Sequence, residues 1–540
     1  MKRKEIIRVC FEYQLINSDT LFISDCIEFK KYQEFNEKLL KIAANWYMKD
    51  DVDITLYKGI SIGKSIDFDF RASNVTELQV LFVLFSNDNL SKEIKFIISD
   101  NYVIKDTLVF LLKLLGVNYS FFKSDLKAIS IVNSYNIFYK DSIFKKTLRN
   151  NITWSNNFFK RNKKEKSFFQ GYSSTQKLIS YFNNAIVSDQ LFVSINHIMS
   201  SNKTLYFNPT IVNNKSKNLV LNNLEENNFK NNNIEEILEI MLTRYYNKLV
   251  NKAIATIDNI VIKFKQLNIM NVILMCEIPL ISSLISQIIH KRQGKVYLLN
   301  HGVRDFSIKA IMNNINQLDG IFCWSKYELD FFNKYNNRIK TIPCGYPIFL
   351  ERKREKEKKL NISKSSKILI LPDLNFEYWD TSIKKGLDDL LLLIKKLINV
   401  GYNRNNITVK IHPGTMNIDF FYYLLDGLLE EKNILKDGNI NEIIDKNDLV
   451  IGPFSTVLYE SIFLNTPYIV FGSYLELFTE NIFYNLNIPI FNSKTIHELI
   501  KYLDNFDYID FDKLKDKMLY KNNYKEVCSI IKNEFNKETK

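Results

Sequence analysis

The sequence predicts an α/β protein in which two domains with parallel sheets lie in tandem and face a central cleft. Three observations predict this class. The chain has 540 residues, which is more than a single domain usually holds. Short apolar segments alternate with segments of helical periodicity, as in parallel sheets whose strands are joined by helices. Several apolar segments end in small polar clusters, which is typical of the carboxyl edge of such sheets.

The first 350 residues are expected to form the N-terminal domain, with an irregular insertion over about 126–233. The insertion has basic and Asn-rich turns and no clear periodicity, and it could provide an acceptor or partner surface. Outside it, strands are predicted at 54–57, 95–99, 272–276, 295–299, 320–324 and 340–344, and helices at 34–47, 78–85, 107–115, 234–267, 281–291 and 327–335.

A charged linker over 351–360 precedes a second α/β series over 361–511. We expect both domains to be Rossmann-like, and the helical tail over 512–540 could cross back to the first domain. In the second series, strands are predicted at 367–371, 407–411, 449–451, 468–471 and 489–491, and helices at 382–400, 455–464 and 496–503.

Composition limits the cellular context. The net charge is +13, and basic runs at 145–146, 160–166 and 352–359 are typical of solvated loops or of peripheral contact with an anionic membrane. No nucleic-acid partner is expected. The six cysteines show no Cys-x-x-Cys spacing, which fits a reducing cytoplasm. No apolar run reaches the ~20 residues of a membrane span, so we expect a cytoplasmic protein, either soluble or bound at the inner face of the membrane.

The stretch from Gly59 to Ser65 is similar to a P-loop but departs from it in length. A P-loop has four residues between its two glycines, whereas Gly59 and Gly63 are separated by three. The length of this loop determines which amides face the phosphates, so a nucleoside triphosphatase is not favoured. We expect a glycine-rich loop that faces the cleft between the domains.

His412 and Pro413 close a predicted strand of the second domain. Proline has no N–H to donate and forces a turn, so the imidazole is presented at the carboxyl edge of the sheet. A histidine in this place can donate to a phosphate oxygen and stabilise a nucleotide leaving group. The simpler interpretation is a histidine bonded to a neighbouring loop.

A second cluster, Gly452 to Thr456, follows the next predicted strand and opens a helix. Ser455 can act as the N-cap or as a first-turn residue, and the helix start favours an anion. Thr456 and Glu460 are four residues apart and share a helix face, so Glu460 could accept hydrogen bonds from ribose hydroxyls. Simple capping with a solvated glutamate is the alternative.

The first domain contributes His301, which ends a predicted strand and should face the same cleft. Its imidazole could act as a general base toward an acceptor hydroxyl, and Asp305 could orient it or be the base itself. A structural histidine at a tight turn is the alternative. No cluster of residues with metal-ligand spacing stands out, because Asp67 and Asp69 follow no clear strand. We therefore predict chemistry without metal or cofactor.

These motifs resemble those of bacterial glycosyltransferases of the GT-B fold, in particular the sialyltransferase, polysialyltransferase and Kdo-transferase group. His412-Pro413 is similar to the His-Pro motif of that group, and Ser455-Thr456 to its Ser-Ser/Thr motif. The resemblance implies that both motifs bind the CMP part of the donor. His301-Gly302 also looks like the His-Gly of CDP-glycerol glycerophosphotransferases. The resemblance covers roughly 270–510.

The resemblance implies an inverting glycosyltransferase that uses a nucleotide-activated donor, with CMP-sialic acid or a CMP-Kdo-like sugar as the best candidates. The acceptor would be a glycan or a lipid-linked glycan in capsule, lipooligosaccharide or other surface-glycan synthesis. Three alternatives stay open: a CDP-glycerol or CDP-ribitol type polyol-phosphate transferase, a UDP-sugar 2-epimerase-like enzyme, and a non-catalytic scaffold with the same fold.

Overall fold

The computed structural model describes most of the chain. The described residues are 6–11, 16, 19–86, 93–99, 105–122, 166–170, 176–182, 185–188, 205–207, 221, 233–277, 279–302, 317–335, 338–351, 362–372, 383–412, 418–472, 486–506 and 509–536. Asp305, Pro413 and nearly all of the predicted linker lie outside these residues.

A four-stranded parallel sheet, with strand order β2-β1-β7-β8, opens the chain. Its strand β7 has Ile94, Phe96 and Ile98 buried on one face, which is the period of two expected of a strand. Two short hairpins, β3–β4 and β5–β6, separate its first helix from the others. The elements are β1 (Ile6–Cys10), β2 (Thr20–Phe22), α1 (Phe29–Asn45), β3 (Met48–Lys49), β4 (Val52–Asp53), β5 (Leu56–Tyr57), β6 (Ile60–Ser61), α2 (Ile62–Ser65), α3 (Asp67–Ser73), α4 (Val75–Ser86), β7 (Glu93–Ser99), α5 (Lys105–Leu114) and β8 (Tyr119–Phe122).

A seven-stranded parallel sheet follows, with strand order β11-β10-β9-β12-β13-β14-β15. The order reverses between β9 and β12, which makes the sheet doubly wound. Its elements are β9 (Lys166–Phe169), α6 (Gln176–Ile179), β10 (Ala185–Ser188), β11 (Leu205–Phe207), α7 (Ile234–Gln266), β12 (Ile269–Leu274), α8 (Leu280–Lys291), β13 (Lys295–Leu298), β14 (Gly320–Cys323), α9 (Lys326–Tyr335) and β15 (Lys340–Pro343).

The third sheet has six parallel strands in the order β18-β17-β16-β19-β20-β21. In order of appearance this is 3-2-1-4-5-6, the Rossmann order, and it reverses between β16 and β19. The elements are β16 (Ile368–Ile370), α10 (Ile383–Asn399), β17 (Ile407–Lys410), α11 (Ile418–Leu425), β18 (Ile434–Leu435), α12 (Ile440–Asp445), β19 (Leu449–Gly452), α13 (Thr456–Phe463), β20 (Tyr468–Phe471), β21 (Ile490–Phe491) and α14 (Ile496–Asp504). The predicted fold class, α/β with two Rossmann-like sheets, is confirmed.

The last two helices, α15 (Phe511–Met518) and α16 (Tyr524–Asn536), return to the second sheet. The Tyr520 amide donates to the Trp324 carbonyl at 2.8 Å. In α16, the ring of Tyr524 stacks on Tyr181 with 5.7 Å between centroids, and Glu534 pairs with Lys340. One apolar core joins the first and second sheets, and another joins the second sheet, α13 and these two helices.

The structure differs from the sequence interpretation within the first 350 residues. We expected one Rossmann-like domain there, but the described residues form two parallel sheets besides the two short hairpins. Within the span expected to be an irregular insertion, β9, β10 and β11 extend the second sheet, and β9 lies beside its central strand β12. The pattern concealed them because each has only three or four residues and lies among Asn-rich and basic segments.

The turn that opens the glycine-rich stretch does not face the cleft. Lys58 and Gly59 form the turn of the β5–β6 hairpin, and the Lys58 carbonyl accepts from the Lys291 ammonium at 2.5 Å. Lys291 ends α8, and that helix runs from the carboxyl edge of the second sheet to its amino edge. The turn therefore lies at the edge opposite His301, because it packs on the far end of α8.

Candidate active site

The carboxyl edge of the third sheet carries the two predicted donor motifs at the same height. Ile370 of β16 pairs with Val409 on one side and with Ile451 on the other. His412 lies three residues beyond Val409, and Phe454 lies three residues beyond Ile451, so both segments leave the sheet at the same level. β17 and β19 are separated by one strand, which places them roughly 10 Å apart. A ligand on this edge can therefore span both motifs.

The turn after β19 is tightly packed. A Cβ added to Gly452 would lie 2.8 Å from Leu371 Cβ and 2.8 Å from the Tyr468 hydroxyl, so no larger side chain fits without displacement. The same Tyr468 hydroxyl donates to the Pro453 carbonyl at 2.6 Å. These contacts hold the chain in the direction that it needs to begin α13 at the sheet edge.

Ser455 occupies the N-cap position of α13, but its side chain makes no capping bond. Its hydroxyl oxygen is excluded from solvent and has no hydrogen-bond partner within the described part of the chain. A buried hydroxyl without a partner is costly, so it calls for an explanation such as a functional role or a bound water or ion. Ser455 therefore does not cap α13 through its side chain. The first amides of α13 add donors directed at the same region.

The His301–Gly302 turn of the second sheet meets the start of α13. A Cβ built on Gly302 would lie 2.9 Å from the Thr456 hydroxyl oxygen. This contact brings two of the sequence motifs together, although Gly302 and Thr456 are 154 positions apart in the sequence. Glu460 follows one turn later on α13 and is half-buried.

The imidazole of His301 is exposed but oriented. Its Nδ1 lies 2.8 Å from the Met275 carbonyl oxygen, and its backbone amide donates to the same oxygen at 3.2 Å. A carbonyl can only accept, so Nδ1 must carry the proton in this bond. In the neutral ring Nε2 then holds the lone pair, which is the arrangement that a general base needs.

Beneath this turn, a buried network connects the second sheet with α13. The Asn300 amide donates to Glu328 Oε1 at 3.0 Å, and the other carboxylate oxygen accepts from the Trp324 amide. The Glu328 amide donates to the Ser325 hydroxyl at 3.2 Å. Ser325 also bonds the Tyr459 hydroxyl, and burial, together with the charge of Glu328, raises the pKa of Tyr459.

His412 follows β17, as predicted. Desolvation by the surrounding protein and the positive charge of Lys410 lower the pKa of His412. The imidazole is therefore neutral near pH 7 and can donate a hydrogen bond without carrying charge. Lys410 itself is buried, and its ammonium donates to the carbonyls of Ile411 at 2.9 Å and Lys436 at 2.7 Å. These two bonds fix the end of β17 against the end of β18.

Sequence reasoning missed three buried polar residues at strand ends: Gln170 after β9, Glu277 after β12 and Lys410 in β17. Gln170 had a signal that could have identified it. An apolar strand is followed by Gln170 and Gly171, and another apolar strand is followed by a polar segment that ends in His301 and Gly302.

The described residues contain no group of three or more His, Cys, Asp or Glu side chains that could hold a metal ion. No helix in that part of the chain is long and apolar enough to cross a membrane.

No protein-family model and no curated protein matches the chain. Among solved structures, the wall teichoic acid polymerase TagF (H548A) is 14% identical over 74% of this chain and 100% of its own, with a TM-score of 0.38. The UDP-GlcNAc 2-epimerase of Methanocaldococcus jannaschii, in complex with UDP-GlcNAc and UDP, is 14% identical over 69% and 99%, with a TM-score of 0.45. The Neisseria meningitidis UDP-GlcNAc 2-epimerase is 11% identical over 69% and 100%, with a TM-score of 0.41. At these scores the likeness carries no argument about activity.

Proposed function

We propose that this chain is an inverting glycosyltransferase that moves a sugar from a nucleotide-activated donor to a glycan or lipid-linked glycan acceptor. A CMP-activated sugar of the sialic acid or Kdo type is the preferred donor. One observation carries the proposal: the Gly302 turn lies against Thr456. An oriented imidazole therefore lies near a helix start whose Ser455 hydroxyl has no partner among the described residues. This is the combination that base-assisted group transfer from a phosphate requires.

In the proposed reaction, the acceptor hydroxyl gives its proton to His301 Nε2. The acceptor oxygen then forms a bond to the anomeric carbon, and the bond from that carbon to the donor phosphate oxygen breaks. The electron pair passes to the phosphate, whose charge is stabilised by hydrogen bonds from His412, Ser455 and the start of α13. Because attack and departure occur on opposite faces, the anomeric configuration inverts.

The remaining predicted site residues take supporting roles in this proposal. Thr456 donates to the donor phosphate, and Glu460 accepts from ribose hydroxyls. Gly452 permits the turn that directs α13 at the ligand. Asp305 as orienting group or base, and Pro413 beside His412, stay predictions because both lie outside the described residues.

A second candidate is a polyol-phosphate transfer from a CDP-activated donor. The contact of Gly302 with Thr456 fits this reaction as well, because it brings the turn that carries His301 next to the start of α13. Attack at phosphorus needs the nucleophile at the phosphate, whereas attack at the anomeric carbon needs it two bonds further along the donor, beyond the bridging oxygen.

The test is a donor screen combined with nucleotide titrations on the full chain. CMP-sialic acid, CMP-Kdo, CDP-glycerol and UDP-GlcNAc would be compared for nucleotide release, with binding of CMP, CDP and UDP measured by calorimetry. We expect CMP binding and release of CMP from a CMP-sugar, unaffected by EDTA. Turnover of CDP-glycerol alone would select the polyol-phosphate transferase. UDP binding alone would favour the epimerase, and no nucleotide binding would favour a scaffold.

Peripheral contact with an anionic bilayer also stays a prediction. It rests on the basic runs at 160–166 and 352–359, of which only Lys166 is described. Sedimentation with vesicles containing phosphatidylglycerol at low and high salt would test it, since electrostatic binding weakens with ionic strength.

A further inference from the structure

Gln170 is a buried amide at the point where the strand order of the second sheet reverses. It directly follows β9, and its side chain makes three hydrogen bonds. Its Oε1 accepts from the Met275 amide at 2.8 Å and from the Cys276 amide at 2.9 Å. Its Nε2 donates to the Ser282 hydroxyl at 3.1 Å. The orientation of the Gln170 amide is thus fixed by partners in the segment that follows β12 and in α8.

The peptide unit between Met275 and Cys276 connects Gln170 with His301. The Cys276 N–H and the Met275 C=O belong to one planar trans unit, so they point in opposite directions. Gln170 holds the N–H side, and the C=O side accepts from His301 Nδ1 at 2.8 Å. Rotation of this peptide would break both contacts, because the plane turns as one body.

We infer that Gln170 is a positioning residue for His301: through the 275–276 peptide it keeps the imidazole in the tautomer with the proton on Nδ1 and the lone pair on Nε2. The inference rests on the proposed role of His301 as base. Both neutral tautomers are accessible to an unconstrained imidazole, and the tautomer with its proton on Nε2 cannot donate from Nδ1 to the carbonyl. Gln170 thus acts on His301 without touching the substrate.

The decisive variant is Gln170→Leu, which keeps the approximate size of the side chain and removes the acceptor. The full chain would be labelled with ¹⁵N in its five histidines only, and the His301 ring signals would be assigned with His301→Gln. We expect the ring signals to shift toward a mixture of tautomers. We also expect kcat to fall by about 10–100-fold with little change in KM for the donor, since general base catalysis contributes about 10²–10⁴-fold.

Gln287→Leu is the matched control. Gln287 also uses its side chain to bind a backbone amide and a hydroxyl, those of Ser61 and Ser65, but on the part of α8 that faces α2. The substitution is the same and a comparable set of bonds is lost, so the His301 signals and kcat should stay at wild-type values.

Gln170→Glu keeps the test decisive if Gln170→Leu does not fold. The carboxylate still accepts from both amides, so the tautomer should be retained. Its charge should raise the titration midpoint of His301 by about one pH unit. An unchanged midpoint in Gln170→Glu, or a folded Gln170→Leu with wild-type ring signals, would overturn the inference. If His301→Gln retained full activity, the base role would fail, whereas the ring signals would still report whether Gln170 holds the imidazole.

Discussion

Replacement of Gly302 by alanine probes the contact on which the proposed cleft depends. The added Cβ would lie 2.9 Å from the Thr456 hydroxyl oxygen, whereas ordinary contact begins at 3.4 Å, so the two atoms must separate by about 0.5 Å. The φ angle of Gly302 lies outside the left-handed region, so alanine adopts this backbone without strain. The effect of the substitution therefore comes from the contact and not from the backbone.

The structure sets the expected size of this effect. Thr456 is the first residue of α13, and its branched side chain has few allowed rotamers in a helix. Crowding is relieved when its hydroxyl rotates away or when the turn moves, at a cost of about 1–3 kcal/mol. We expect most of this cost to appear as a roughly 5–150-fold loss of CMP affinity, because the displaced groups are the proposed phosphate ligands.

A double-mutant cycle separates this mechanism from a general disturbance. CMP binding would be measured by calorimetry for wild type, Gly302→Ala, Thr456→Ala and the double variant, with thermal unfolding as a check of folding. In the Thr456→Ala background the crowding oxygen is absent, so Gly302→Ala should have little further effect, and the coupling energy should be about 1–3 kcal/mol. An equal loss of affinity in both backgrounds would refute the reasoning.

Three further predictions concern the third sheet. Ser455→Ala should leave the free energy of unfolding unchanged or raise it by about 1 kcal/mol, because it removes a buried hydroxyl that has no partner among the described residues. CMP affinity should fall about 10–100-fold, and unchanged affinity by calorimetry would contradict the assignment. Gly452→Ala should cost about 1–3 kcal/mol in urea unfolding, since its Cβ would meet Leu371 Cβ at 2.8 Å, and a neutral effect would speak against this packing. The folded-state pKa of His412 lies below its ordinary value of 6.5, so its contribution to stability is present above pH 6.5 and is lost as pH falls through the folded pKa. His412→Gln should remove that part of the pH dependence in urea titrations, and an identical dependence in the variant would count against the lowered pKa.

Local patterns predicted five of the six described strands of the third sheet, and they missed β18, which has only two residues. The strands around 407–411 and 449–451 are apolar and end in Pro or Gly. Residues close in sequence were therefore enough to predict that these segments are strands, where they end and which polar residues follow them. The positions of His412 and Ser455 at one edge followed from the rule that parallel strands share a carboxyl edge. The predicted strand ends agree with the structure to within one or two residues.

Contacts between distant segments could not be predicted in this way. The missing cap bond of Ser455 and the bonds of Gln170 depend on where other segments lie, and no local pattern records that. For the same reason, the sequence did not show that residues 6–122 form a sheet separate from the second sheet. The strand pattern reports burial on both faces, but it does not report which strand donates to which.

Helix α13 explains what keeps the proposed base and the proposed phosphate site together. Its first residue, Thr456, contacts Gly302. Tyr459, three residues further along α13, packs edge-on against Trp324 with 5.7 Å between the ring centroids. Trp324 also stacks on Tyr346 at 4.3 Å, and all three side chains are at most 3% exposed. Separating α13 from the second sheet would expose these rings, at a cost of about 1.5–3 kcal/mol for each large side chain. The distance between His301 and the start of α13 is therefore held by an apolar core that lies outside the proposed cleft.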